Sequence, residues 1–399
     1  MKTSARVLAL LTAVLLAIGC LAACHGKDAV VATCTANDKT YTLTAGQYAF
    51  ALIAADSEAR TKVGENLTDA EKNAGTEIDY FSKSIDDKDY VTWVEERAEE
   101  ILREYFYITS EFDRAGLELS ESDATSKDSY FSYLWSMNGY QYICEPNGAS
   151  FDSFTAVESV LSYQRNTLFN HIYGAEGTDP VSEEEKTAAL LEHFAVADVI
   201  TLDPSTLKET PAEGEETPEQ TDEEKEAETA ALKEQARAQL QGYADRINNG
   251  VSFSVIYYEF NGTQPSEEEE EEEDPADHKH PQDTLATVYG DEDTTVSNAL
   301  FAKVKACEVG KATVVETDDG KLALVLRQEI TDDPYYADDL ADEILSLLKG
   351  DEFDEQIKAG GKKLDVQIND YERDHIKVKN IDYSAYNEYM NALYSQYGQ

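Results

Sequence analysis

The run Phe194-Ala195-Val196-Ala197-Asp198-Val199-Ile200-Thr201-Leu202 limits most what this chain can fold into, because it is β-rich and lies inside a sequence otherwise patterned for helices. Asp203-Pro204 closes it, and a proline biases the residue before it away from helix, so the run reads as a strand with a sharp end. Upstream, Val94, Ala98, Ile101, Tyr105, Ile108, Phe112 and Ala115 recur at alternating steps of four and three, the mark of a long amphipathic helix, which Gly116 ends. Downstream, Glu223–Asn248 predicts another helix, stopped by Gly250, and Ala312–Thr317 with Lys321–Gln328 predicts a hairpin around Asp318-Asp319-Gly320. A small α/β domain therefore begins near Phe194 within a mostly helical chain, and the fold class is α+β.

The start of the chain carries two further β-rich runs, Val30–Thr35 and Lys39–Leu43, around Ala36-Asn37-Asp38. Thr44 and Gln47 have the spacing of a capping box that opens a helix through Tyr48, Leu52 and Ile53. Helical patterns follow at 129–144, 151–173, 296–305, 337–349 and 383–397. Two acidic stretches break this order: Thr206–Gln220 is rich in Glu, Pro and Thr and predicts a disordered loop, and Glu267–Glu273 is an unbroken glutamate run that predicts an extended one.

Lys2 and Arg6 precede an apolar run, Val7–Ala22, that is too short for a comfortable membrane span of ~20 residues. Its end, Leu21-Ala22-Ala23-Cys24, looks like a bacterial lipobox, which predicts removal of residues 1–23 and lipid on Cys24. The expected location is the extracytoplasmic face of the cell membrane. Loss of Lys2 and Arg6 takes the formal charge from −48 to −50, which excludes duplex nucleic acid as a partner because phosphate binding runs on Lys and Arg. Anionic headgroups repel such a surface too, so the lipid on Cys24 is the expected membrane link. Cys34, Cys144 and Cys307 make no disulfide framework, although Cys34 and Cys144 pair if the fold brings them together.

Four segments carry a family likeness. They are Val30–Thr33 followed by Tyr41–Thr44, Ala115-Gly116-Leu117-Glu118-Leu119-Ser120-Glu121, Leu168–Gly174 with Val181-Ser182-Glu183-Glu184-Glu185, and Ala306–Gly310 leading to Lys321–Val325. In this order they resemble the SurA/PrsA family of exported foldases, in which a helical chaperone domain related to SurA and trigger factor carries a parvulin-type prolyl isomerase domain. The resemblance implies a helical domain over 24–192, a parvulin-like domain over 193–332 with acidic loops at 206–222 and 265–283, and a C-terminal helical segment over 333–399. That last segment is implied to pack on the first domain. The implied partners are unfolded or partly folded exported polypeptides, with no cofactor.

The resemblance also implies where chemistry belongs. One family histidine sits on the first strand, where this chain has Asp198, and a second on the last strand, where it has Leu322. After Phe253–Phe260 the sequence reads Asn261-Gly262 in place of the family's Cys or Asp, and the glycine-rich segment has no counterpart. A carboxylate is not a donor–acceptor pair like imidazole, so the expectation is a domain without isomerase activity. Of the histidines, His278 and His280 stand beside Asp274 and Asp277 in an acidic loop, while His171 and His193 read as packing or capping residues. Aromatic side chains then become the candidates for client contact: Trp93, Tyr105 and Trp135 in the helical domain, and Tyr386, Tyr389 and Tyr397 on a C-terminal stripe. Two other readings stay open, an active prolyl isomerase and a lipoprotein that binds a solute or wall component.

Overall fold

A computed structural model of the chain describes residues 26–72, 78–208, 221–263 and 285–397. Cys24 and the leader, the glutamate run, and His278 and His280 with their neighbouring aspartates lie outside the described residues. The chain forms two compact units, Val181–Asp351 and the remainder.

The first unit opens with β1 (Val30–Ala36) and β2 (Lys39–Thr44), paired antiparallel. Their turn holds Asn37 at φ 52° and Asp38 at φ 61°, left-handed positions that Asn and Asp tolerate and that match the twist of a tight hairpin. Helix α1 (Ala45–Glu65) starts on the expected capping box: the Gln47 amide donates to Thr44 Oγ1 at 3.4 Å, and the Thr44 amide donates to Gln47 Oε1 at 2.8 Å. Helix α2 (Tyr90–Ala115) carries the four–three stripe and ends at Gly116, whose φ of 67° suits a residue without Cβ. Val31, Leu43, Leu52, Tyr90, Val94, Leu102 and Phe106 join sheet and helices in one core. Helix α3 (Glu121–Ser136), a short turn at Tyr140–Cys144, and α4 (Phe151–Glu158) enclose a second core around Phe50, Phe131 and Phe154. A π-helical turn, Ser159–Gln164, joins α4 to α5 (Arg165–Tyr173).

The second unit begins with α6 (Glu183–His193), capped by Ser182, and enters β3 (Phe194–Leu202) directly. Asp203 then caps a tight turn over Pro204–Leu207, so the first residues of the expected acidic loop are ordered by a local hydrogen bond to the Ser205 amide. Its far end is helical as well, because Thr221 and Glu224 form a capping box at the start of α7 (Asp222–Asn248). Helix α8 (Phe253–Asn261), β4 (Thr287–Gly290), α9 (Phe301–Ala306), β5 (Ala312–Glu316) and β6 (Leu322–Gln328) complete the unit's centre. Helix α9 is shorter than the sequence pattern over 296–305, since the Asn298 side chain accepts from the Leu300 amide and holds a turn there.

The four strands make one antiparallel sheet in the order β4-β3-β6-β5. Alternate residues of β3 face opposite sides, and both sides are covered. Ile200 and Leu202 join Leu322, Leu324, Ala236 and Leu240 under α7, while Ala195 and Ala197 join Ala323, Val325 and Val304 under α9. Phe194 and Val196 meet Leu190 of α6 and Tyr336 of α10 (Pro334–Asp339). Burial on both faces explains the unbroken apolar texture of this run. The packing of α6 and of residues after Ile330 against the sheet is also why the unit extends past the expected limits of 193 and 332.

Helix α11 (Ala341–Lys363) carries the chain back to the first unit. There β7 (Val366–Ile368) pairs antiparallel with β1, setting Val366 opposite Cys34 and Ile368 opposite Ala32. The last helix is α12 (Ser384–Tyr397). Just before it, Tyr383 donates to the carboxylate of Asp56, which is 1 % exposed and also accepts from Tyr90 at 2.8 Å and Arg60 at 2.7 Å. The Arg60 guanidinium lies over the Tyr383 ring at 4.1 Å, so a buried charge network ties the C-terminal segment to α1. Cys34, Cys144 and Cys307 are buried free thiols, and the first two sit in the two different cores of this unit.

Candidate functional site

Within the first unit, four elements border a groove of about 610 Å³. Helix α2 supplies Tyr105 and Thr109; α3 supplies Lys127, Asp128, Phe131 and Ser132; α4 supplies Phe151, Thr155 and Ala156. The π-helical turn supplies Ser159, Val160 and Gln164. A π turn inserts one residue into a helix and rotates the succeeding residues about the axis, which is a recurrent device where a helix lines a binding surface. The apolar part of the wall is firm: Phe131 is 1 % exposed and stacks edge-on against Phe154 at 5.5 Å and Tyr163 at 5.7 Å.

The polar part is incomplete. Helical Ser and Thr hydroxyls in this unit usually bond back one turn, as Thr167 does to the Tyr163 carbonyl at 2.9 Å and Ser132 to the Asp128 carbonyl at 2.8 Å. Thr109 does not, and its Oγ1 is buried without a hydrogen-bond partner. Gln164 Oε1 is in the same condition, and both residues line the groove. Buried polar atoms are nearly always paired; these two are unpaired yet closed to solvent, so they belong to the packed wall and not to the open face of the groove.

The residues expected to contact clients are not brought to one surface. Trp93 is a core residue, 8 % exposed, whose indole N–H donates to Asp86 at 3.1 Å. Tyr105 packs on the same core and lines the groove, and burial raises the pKa of its phenol. Trp135 packs edge-on against Phe151 at 5.4 Å, and Tyr386 joins the same aromatic cluster. Tyr389 stacks on Tyr142 at 4.6 Å and donates to the Met137 carbonyl. The side chain of Tyr397 lies outside the described residues. Of the groove, Thr109, Gln164 and the π turn had no signal in the sequence, because periodicity does not report a hydrogen bond left unmade.

In the second unit, Asp198 of β3 and Leu322 of β6 project from the same sheet face, 2 % and 0 % exposed. The register sets Asp198 opposite Leu326 and Leu322 opposite Leu202, about 13 Å apart along the strands. Asp198 Oδ2 accepts from Gln328 Nε2 at 2.7 Å, and Oδ1 has no partner within hydrogen-bond distance. Burial raises the Asp198 pKa, against smaller lowering by Gln328 and by the nearby Leu285 amide. Cys307 is buried, and its thiol donates to the Lys303 carbonyl at 3.3 Å.

His193 Nδ1 contacts Asp291 Oδ2 at 2.7 Å, and with Asp293 these groups hold ligand atoms within 4.8 Å of one another. A cation is one use of such a set, but the Asp291 amide also donates to the His193 carbonyl, so the contact already fastens the start of β3 to the loop after β4. His171 borders a smaller cleft of about 300 Å³ with Leu168, Arg114 and Gln356.

No family model and no curated protein matches this chain. Among solved structures it is similar to foldase protein PrsA from Streptococcus pneumoniae str. Canada MDR_19A, at 13% identity over 69% of this chain and 88% of that one, with a TM-score of 0.32.

Proposed function

We propose that this chain is a lipid-anchored, extracytoplasmic chaperone of the foldase type, in which a helical unit binds unfolded exported polypeptides and the inserted α/β unit is a parvulin-like domain without isomerase activity. The observation that carries the reading is the insertion itself. A helical unit built from both ends of the chain, through β1 paired with β7 and Asp56 bonded to Tyr383, is interrupted by a unit with its own antiparallel sheet. The order within that sheet, a first strand, a long helix, and a closing hairpin, is the order the sequence resemblance implies.

Chemistry supports the inactive clause. Prolyl isomerisation crosses a barrier of ~18–20 kcal/mol set by amide resonance. Among the described residues no histidine stands on the four strands of the sheet, and the position on its first strand is a buried carboxylate with one partner. Anchoring through Cys24 belongs to the same proposal.

Two measurements on the full chain test it. Near-stoichiometric amounts should suppress aggregation of reduced, denatured lysozyme, a basic client for an acidic binder, and no suppression would remove the chaperone reading. Proline-limited refolding of a model substrate should not accelerate; acceleration on the scale of an active parvulin would overturn the inactive clause alone.

A further inference from the structure

We propose that a nearly charge-free, tyrosine-rich face of the first unit, made by the end of α3, the Tyr140–Cys144 turn and the start of α12, is a membrane-contact surface that rests on the lipid–water interface of the bilayer holding Cys24. The inference rests on the lipid-anchor clause of the proposed function and adds to it which side of this unit meets the lipid. Its first support is composition. Ser129–Cys144 and Tyr383–Tyr397 together hold one charged residue, Glu388, in a chain where 29% of residues are charged, and they hold nine of its 24 tyrosines. The fold joins the two segments. Tyr142 stacks on Tyr389 at 4.6 Å, Tyr389 donates to the Met137 carbonyl at 2.5 Å, and a Cβ on Gly139 would lie 2.6 Å from the Tyr389 ring. Beside that contact, Tyr130, Tyr133 and Met137 recur at steps of three and four along one face of α3 and its cap, each more than half exposed.

The second support is where the chain leaves the structure. Cys24 stands three residues before Lys27, so its backbone lies no more than ~11 Å from Lys27, at ~3.6 Å per extended residue. Lys27 is fixed in place: its carbonyl accepts from the Gly46 amide at 2.8 Å, and a Cβ on Gly46 would lie 3.2 Å from both the Lys27 and the Gly148 carbonyl oxygens. Gly148 belongs to the loop that follows the Tyr140–Cys144 turn; its amide donates to the Glu145 carbonyl at 3.1 Å, and the Ala149 amide to the Cys144 carbonyl at 3.0 Å. A lipid on Cys24 therefore holds this loop, and the turn that leads into it, close to the membrane. Side-chain chemistry agrees. Tyrosine has an apolar ring and a wet hydroxyl that suit the headgroup level, and a methionine thioether adapts to irregular apolar contact. A face almost free of carboxylates is also one that a chain carrying −48 can lay on lipid without pressing like charges onto anionic headgroups.

The test places the lipidated full chain on phosphatidylcholine vesicles. Met137→Cys takes a polarity-sensitive fluorophore, since Cys34, Cys144 and Cys307 are buried and the Cys24 sulfur is occupied by lipid in this reading. Its emission should shift to the blue when vesicles are added, and nitroxide at headgroup depth should quench it. The same label on Glu118→Cys, an exposed position just before the other end of α3, should show neither effect. Tyr130→Ser combined with Tyr133→Ser should remove the shift and the quenching at position 137 with the circular dichroism unchanged, because both rings are half exposed. Without any substitution, oxidation of Met137 by hydroxyl radicals should fall several-fold on vesicles.

No shift at position 137 and no protection of Met137, in a chain that floats with the vesicles and carries lipid on Cys24 by mass spectrometry, would overturn the inference and leave the anchor in place. A chain that neither floats nor carries lipid would remove the anchor and the inference together. A shift that appears with reduced, denatured lysozyme, or on raising the concentration of the chain itself, but not with vesicles, would give the face to a client or to a second copy and overturn the membrane assignment. The oxidation arm needs no variant, so a folding failure does not shield the idea.

Discussion

Asp56 and Asp198 are both almost wholly buried carboxylates, and their surroundings give them opposite characters. Asp56 has a guanidinium and two phenols, so its charge is answered on every side, and burial together with Asp56 raises the pKa of Tyr90 and of Tyr383. Asp198 has one amide and an orphan oxygen, and burial raises its pKa above the ordinary 3.8. An acid whose folded pKa is raised binds its proton more tightly in the folded state. It therefore favours folding most below 3.8, and that contribution is lost as pH climbs from 3.8 through the raised value. Tyr289 and Tyr336, the titratable groups that sense Asp198, stay neutral throughout this window because their own pKa values are also raised. Asp198→Asn should therefore flatten the stability-versus-pH curve of the chain on the mildly acidic side, measured by urea unfolding at a series of pH values. An unaltered slope would show that Asp198 is solvated.

At the scale of elements, local pattern and distant pairing part company. Helix α11 contains Gly360 and Gly361, which helix propensity marks as weak points, since Gly costs ~0.5–1 kcal/mol relative to Ala. Packing reverses the sign. A Cβ on Gly361 would lie 3.1 Å from the backbone carbonyl of Arg103 in α2, and backbone cannot swing aside. Gly361→Val should destabilise the chain by about 1–3 kcal/mol in denaturant unfolding, despite better propensity than glycine; a stabilised variant would mean that α11 does not rest on α2 there.

The same contrast divides what could be read from the sequence. The stripe of α2, its stop at Gly116, the Thr44–Gln47 cap and the final hairpin were legible because each is encoded within a few neighbouring residues. The strand β7 was not, since three residues carry no period and its partner Cys34 lies at the other end of the chain. Of the groove, Tyr105 was legible as an aromatic on a helical stripe. The π turn was not, because Phe151–Tyr173 has a helical pattern throughout and the extra residue shows only in the backbone.

At the scale of the whole molecule, charge is the dominant long-range term. Thirty-three Lys and Arg stand against 81 Asp and Glu, so even if every cation found a partner most carboxylates would still face one another. Ion pairs such as Arg246–Glu259 at 2.7 Å and Lys233–Glu316 at 2.5 Å are part-exposed at both ends, and such pairs contribute roughly 0–1 kcal/mol each. They act over a few ångströms and salt weakens them modestly. The repulsion among unpaired carboxylates acts over the Debye length, which shrinks from about 30 Å at 0.01 M to about 8 Å at 0.15 M salt. Screening therefore removes more repulsion than attraction, and the folded chain, which holds its charges closer than the unfolded one, gains most. Tm should rise as NaCl goes from ~10 mM to ~150 mM, with the same rise in choline chloride, because screening does not depend on the identity of the monovalent cation. A falling Tm would show that the local pairs outweigh the net field. A rise confined to divalent salts would instead mean that carboxylates such as Asp291 and Asp293 beside His193 bind the cation directly.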